Sequence, residues 1–150
     1  MKPILDALVI DDSAYNRRVL SQLLEESGFV RVVATAPDGE EGLRRALTLA
    51  PDLVTLDLEM PRMDGFTFLR ILMAQRPTPV LVISSQSEAH NVFRALDLGA
   101  VDFLAKPTRY ISDRILEIRE ELFRKLRAIR ELHLDNLRRR AAGAVPGRGA

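Results

Sequence analysis

The sequence predicts an α/β domain, a doubly wound parallel sheet with helices on both faces. Three observations predict it. Apolar runs of strand length recur at about 5–10, 30–36, 53–57, 79–84 and 101–105. These runs are rich in Val, Ile and Leu without polar alternation, the mark of strands buried on both faces. Between them lie segments with helical spacing, so five βα units follow one another in little more than 100 residues.

The first strand, Ala7-Leu-Val-Ile10, ends on Asp11-Asp12, and Ser13 stands where a helix needs a cap. The helix behind it carries Val19, Leu20, Leu23 and Leu24. Pro37-Asp38 caps the second helix, with Leu43, Ala46, Leu47 and Ala50 on its apolar face. The run from Leu53 ends on Asp57, and Pro61 and Gly65 open the next turn. There Asp64-Gly65 reads as turn chemistry with a cap. Phe66, Leu69, Leu72 and Met73 mark the third helix. The fourth, with Val92, Ala95 and Leu96, is expected to be capped near Ser87 and to stop at Gly99, a C′ glycine. Asp6 and Asp52 are read only as strand openers.

From Ile111 onward one long helix is expected, with Ile115, Ile118, Leu122, Leu126 and Ile129 at spacings of three or four. About 30 residues make roughly 45 Å, more than a small sheet needs for cover. Residues 1–125 are therefore assigned to the domain, 126–140 to a helical extension and 141–150 to a flexible linker or tail. Exposure of Leu126, Ile129, Leu132 and Leu137 is expected, with helix pairing as the consequence.

Composition narrows the class. The chain has 150 residues, 47% hydrophobic and 29% charged, in keeping with one soluble globular domain. No apolar run approaches the roughly 20 residues that span a bilayer, and the first residues hold no stretch of signal-peptide length. With Cys 0 there is no disulfide framework and no thiolate zinc site, and a cytoplasmic location is expected. The net charge of +1 conceals an asymmetry: residues 1–108 hold 11 Lys+Arg and 15 Asp+Glu, residues 109–150 hold 11 and 6. Arg138-Arg139-Arg140 without interleaved aromatics reads as a solvated helix end rather than a nucleic-acid contact.

Asp11, Asp12, Asp57, Ser84 and Lys106 all stand at carboxyl ends of strands, where open parallel sheets bind their ligands. Three carboxylates in one place repel unless a cation or proton joins them. An all-oxygen set with no neighbouring His suits Mg²⁺, which binds through one or two carboxylates together with a phosphate. A carboxylate can itself be the nucleophile and become an aspartyl phosphate, with Lys106 as cation and Ser84 as hydroxyl donor. Lys106-Pro107 adds a bond able to adopt cis and fix that turn.

The set Asp11-Asp12-Ser13, Asp57 within Asp-Leu-Glu-Met-Pro-Arg-Met-Asp-Gly, Ser84, and Gly99-Ala-Val-Asp-Phe-Leu-Ala-Lys-Pro107 resembles response-regulator receiver domains of two-component signalling, over roughly residues 4–125. The resemblance implies a flavodoxin-like sheet of strand order 2-1-3-4-5. It implies that Asp57 accepts phosphate from a histidine kinase. Asp12, Asp57 and the backbone carbonyl of Glu59 would hold Mg²⁺, with Asp11 acting through water. Lys106 would pair with the phosphoryl group, Ser84 would bond it, and Phe103 would follow inward as an aromatic switch. Glu59 and Gln86 would tune hydrolysis. A downstream effector would read the change.

The surrounding sequence most resembles the receiver of the chemotaxis protein-glutamate methylesterase. The hydrolase chemistry of that family is not expected in these residues, which hold only His90 and His133 and no Gly-x-Ser-x-Gly elbow. Two other functions fit parts of the pattern. One is a Mg²⁺-dependent aspartyl-phosphate phosphatase, for which Asp-x-Asp after the first strand is expected instead of Asp11-Asp12-Ser13. The other is a scaffold that dimerises through its long helix.

Overall fold

The computed structural model describes residues 4–106 and 115–143. Strands β1 (Leu5–Ile10), β2 (Val30–Ala36), β3 (Leu53–Leu56), β4 (Val80–Ser84) and β5 (Asp102–Ala105) alternate with helices. These are α1 (Ala14–Glu26), α2 (Gly39–Leu49), α3 (Gly65–Gln75), α4 (Ala89–Asp97) and α5 (Ile115–Ala141). All neighbouring strands are parallel, in the order β2-β1-β3-β4-β5, as the resemblance implied.

Strand side chains point alternately to opposite faces, and this divides the core in two. Leu5, Ala7 and Val9 of β1 join Leu20, Leu24, Leu122 and Leu126 of α1 and α5. Leu8 and Ile10 face the other way, onto a cluster with Ala46, Phe68, Leu69, Leu72 and Ala95 from α2, α3 and α4. In the central strands β3 and β4 neither face reaches water, which is why they read as unbroken apolar runs, whereas the edge strand β2 exposes Arg31 and Val33.

Capping follows local chemistry. Ser13 Oγ accepts the Asn16 N–H at 3.1 Å, Asp38 Oδ1 that of Glu41 at 2.9 Å, and Asp64 Oδ1 that of Thr67 at 2.8 Å. Ser87 does not cap α4: the cap position is Glu88, whose side chain accepts from the Asn91 side-chain amide at 3.1 Å but takes no backbone N–H of the helix. Gly99 has φ +116° immediately past α4, the left-handed geometry that suits a glycine there.

The long helix differs from expectation in its cover. Leu126 and Ile129 are buried in the same cluster as Leu5, Phe29 and Val30 rather than exposed. The reason is that the cluster on this face of the sheet extends to Leu5 and Val30, which open β1 and β2, and to Phe29 just before β2. Exposure begins at Leu132 (53%) and includes Leu137 (39%). The expected helix start at Ile111, the turn residue Pro107 and the tail from 144 lie outside the described residues. Among the described residues no helix is long and apolar enough to cross a membrane.

Candidate functional site

Three backbone hydrogen bonds carry the parallel ladder one residue past the strand ends. Asp11 N–H donates to the Ala36 carbonyl (3.1 Å), Asp57 N–H to that of Ile10 (3.0 Å) and Lys106 N–H to that of Ser84 (3.0 Å). The residues that end β1, β3 and β5 are thereby brought to one level. Asp11, Asp12 and Asp57 each present a carboxylate oxygen, and these oxygens lie within 4.8 Å of one another. Asp12 is exposed while Asp11 and Asp57 are buried.

Lys106 is 5% exposed and reaches into this cluster. Its Nζ lies 2.8 Å from Asp11 Oδ2 and 3.6 Å from Asp57 Oδ2. The other Asp11 oxygen accepts the Ser13 N–H at 2.9 Å, and Arg17 Nη1 donates to the Asp11 carbonyl at 2.8 Å. Asp57 Oδ1 accepts the Glu59 N–H at a long 3.4 Å, and the Ser84 hydroxyl also acts on its carboxylate. Burial pushes the Asp57 carboxyl up from 3.8 to about 6. The Lys106 charge pulls it down, the Asp11 charge adds to the rise, and the Glu59 N–H and Ser84 hydroxyl oppose it.

Asp12, Ser13, Asn16, Asp57, Glu59, Met60, Ser85 and Lys106 line an open cleft of about 290 Å³. Of the residues expected at the site, Asp12, Asp57, Glu59 and Lys106 meet there. Asp11 lies behind them through its bonds to Lys106 and Ser13. Ser84 is fully buried, its hydroxyl accepting the Gln86 N–H at 3.1 Å. Gln86 is not among the lining residues. Phe103 is packed in the cluster under α3 and α4, away from the cleft. His90 is exposed, and neither it nor His133 joins a cluster of potential metal ligands among the described residues.

Asn16 and Met60 are not among the residues the sequence singles out for the site, and Ser85, read from the sequence as a cap or surface residue, lines the cleft as well. Asn16 was findable: it stands one turn beyond Ser13 on the helix that opens at the site, so it must face the same way.

The donor set fits Mg²⁺. It is all oxygen, and its one buried lysine leaves two of three carboxylates uncompensated.

Residues 7–117 match the response regulator receiver domain family. A protein-glutamate methylesterase/protein-glutamine glutaminase of Geobacter sulfurreducens is 60% identical over 133 residues, covering 89% of this chain and 36% of the relative. One from Myxococcus xanthus is 55% identical over 131 residues, covering 87% of this chain and 38% of the relative. Among solved structures, the response regulator domain of Thermotoga maritima CheB superposes with a TM-score of 0.79 at 37% identity, covering 85% of this chain and 97% of that one. The chain thus spans little more than a third of the curated relatives and nearly all of the isolated CheB domain. With its sheet order, its acidic cleft and this match across most of its length, the chain belongs to the response regulator receiver domain family.

Proposed function

We propose that Asp57 is the phospho-acceptor of this receiver and that phosphorylation switches its contacts with an effector. The observation that carries this is the pairing of a buried Asp57 with Lys106 at the mouth of an open polar cleft. An Asp57 oxygen attacks the phosphorus of a kinase phosphohistidine. The P–O bond forms as the P–N bond breaks, and the imidazole leaves carrying a proton from water. Asp12, Asp57 and the Glu59 carbonyl would hold Mg²⁺, with Asp11 acting through water, and the metal would supply neutralising charge to the phosphoryl oxygens. Lys106 stands close enough to shift from Asp11 toward the new phosphoryl group. Ser84, whose hydroxyl oxygen accepts the Gln86 N–H, would donate its proton to the phosphoryl oxygen, and Phe103 on the next strand would respond as the aromatic switch. Glu59 and Gln86 would tune hydrolysis.

Intact-mass measurement with a small phosphodonor and Mg²⁺ tests the reading. Wild type is expected to gain one phosphoryl group and Asp57→Asn none. A wild-type protein that takes up no phosphate from any donor overturns it.

The kinship with methylesterases supports a narrower reading, a cytoplasmic regulatory segment of a chemotaxis-type methylesterase, with a histidine kinase upstream and that esterase as effector. Exposed Leu132 and Leu137 at the end of α5 favour helix pairing in a homodimer. Light scattering of wild type and of Leu132→Asp tests the pairing.

A further inference from the structure

The loop from Asp57 to α3 carries Glu59 and Met60 into the cleft, and its far side is built around an unusual residue. Arg62 has φ +69°, one of two non-glycine residues with positive φ among those described. The Met63 N–H donates to the Pro61 carbonyl at 2.7 Å, closing a three-residue γ-turn on Arg62. With positive φ this is the rare, strained form of that turn, which persists only where its surroundings hold it.

Two contacts hold it. Arg62 Nη1 lies 3.1 Å from Asp38 Oδ2, and the Asp38 side chain is only 10% exposed. Its other oxygen is already committed to the Glu41 N–H as the cap of α2. Next to it, Gly39 lies so close that an added Cβ would sit 2.3 Å from the Met63 carbonyl oxygen. The start of α2 therefore holds the turn at its central residue, Arg62, and at the residue after it, Met63. Surface ion pairs alone contribute little, but this one has a buried acceptor fixed by a helix end, so its geometry is set before the arginine arrives.

We infer that Arg62 and Asp38 form a positioning latch that holds the Glu59–Met63 loop in the shape needed for Mg²⁺ binding beside Asp57. Neither residue touches the reacting atoms. The latch acts through the backbone of the loop and rests on the proposed metal role of the Glu59 carbonyl.

Three substitutions separate latch from fold. Arg62→Gly removes the ion pair while relieving the positive-φ strain, so the chain stays folded. Asp38→Asn keeps a good helix cap but drops the charge. Arg62→Lys keeps the charge without the guanidinium fork and should rescue in part. Mg²⁺ titration followed by amide NMR shifts at Asp57 and Glu59 of the full chain reads the result. Each of the first two is expected to weaken Mg²⁺ binding about tenfold, the low end of what the outer partners of metal sites contribute. The double variant should lose no more than either single one. Wild-type Mg²⁺ affinity in both Arg62→Gly and Asp38→Asn overturns the latch while leaving the phospho-acceptor reading intact. A wild-type chain whose Asp57 signals ignore Mg²⁺ overturns both.

Discussion

Lys106 Nζ is closer to Asp11 (2.8 Å) than to Asp57 (3.6 Å), so the site's one buried cation leans on the carboxylate behind the acceptor. This leaves Asp57 short of compensation and open to a ligand. It also makes Asp11 and Lys106 a buried pair whose members depend on each other. Lys106→Met is expected to destabilise the metal-free protein by about 3–5 kcal/mol, since it strands Asp11 in the interior. Denaturant unfolding with and without Mg²⁺ measures it. The metal should recover part of the loss, and an unchanged midpoint would contradict the pairing.

The raised Asp57 carboxyl has a signed consequence. Its folded value, about 6, lies above its ordinary 3.8, so the folded chain holds this proton more tightly than the unfolded one. Its stabilising contribution is complete below 3.8 and is lost as pH rises through about 6. Asp57→Asn, neutral throughout, should be more stable than metal-free wild type at pH 8 by at most about 3 kcal/mol, the equivalent of a shift of roughly two pH units. The gap should close toward pH 4. Thermal unfolding at both pH values in chelator decides, and a variant less stable than wild type at pH 8 refutes the account.

Gly65 makes the loop's other end a tight fit. An added Cβ would lie 2.7 Å from Leu58 Cα and 2.8 Å from the Asp57 carbonyl oxygen. Both atoms are backbone, so neither can swing away. Gly65→Ala should cost about 1–3 kcal/mol in denaturant unfolding, the usual range for overpacking. Because the collision falls on Asp57 itself, phosphate uptake should slow as well. An alanine variant with unchanged stability and rate would show that the loop yields.

The sheet was legible because burial on both faces writes itself into a strand as an unbroken apolar run, and Asp11, Asp57 and Lys106 stood out by ending such runs. The latch was not legible. Asp38 and Arg62 are 24 positions apart, and a left-handed arginine has no sequence signal of its own. Ser87 was a plausible cap by type, yet the chain enters α4 one residue later. Helical period showed which face of α5 is apolar, but how far along that face is covered depends on Leu5, Phe29 and Val30, distant in sequence.

α5 becomes dispensable beyond its last buried side chain, Ile129. Leu126 and Ile129 are buried with Leu5, Phe29 and Val30, and the Arg130 guanidinium lies 4.6 Å from the centre of the Phe29 ring. A chain ending after Lys125 loses two core side chains, each worth about 2–5 kcal/mol on the scale of Leu or Ile to Ala changes. It should unfold at much lower denaturant or fail to fold. A chain ending after Glu131 keeps both side chains and the Phe29 contact, and removes only the turns bearing Leu132 and Leu137. It should match wild type in midpoint and in phosphate uptake, since the acceptor cleft lies at the opposite ends of the strands. Equal stability of the two truncations would mean that the burial of Leu126 and Ile129 contributes nothing. A strong loss after Glu131 would place the structural limit of α5 beyond its last fully buried residue.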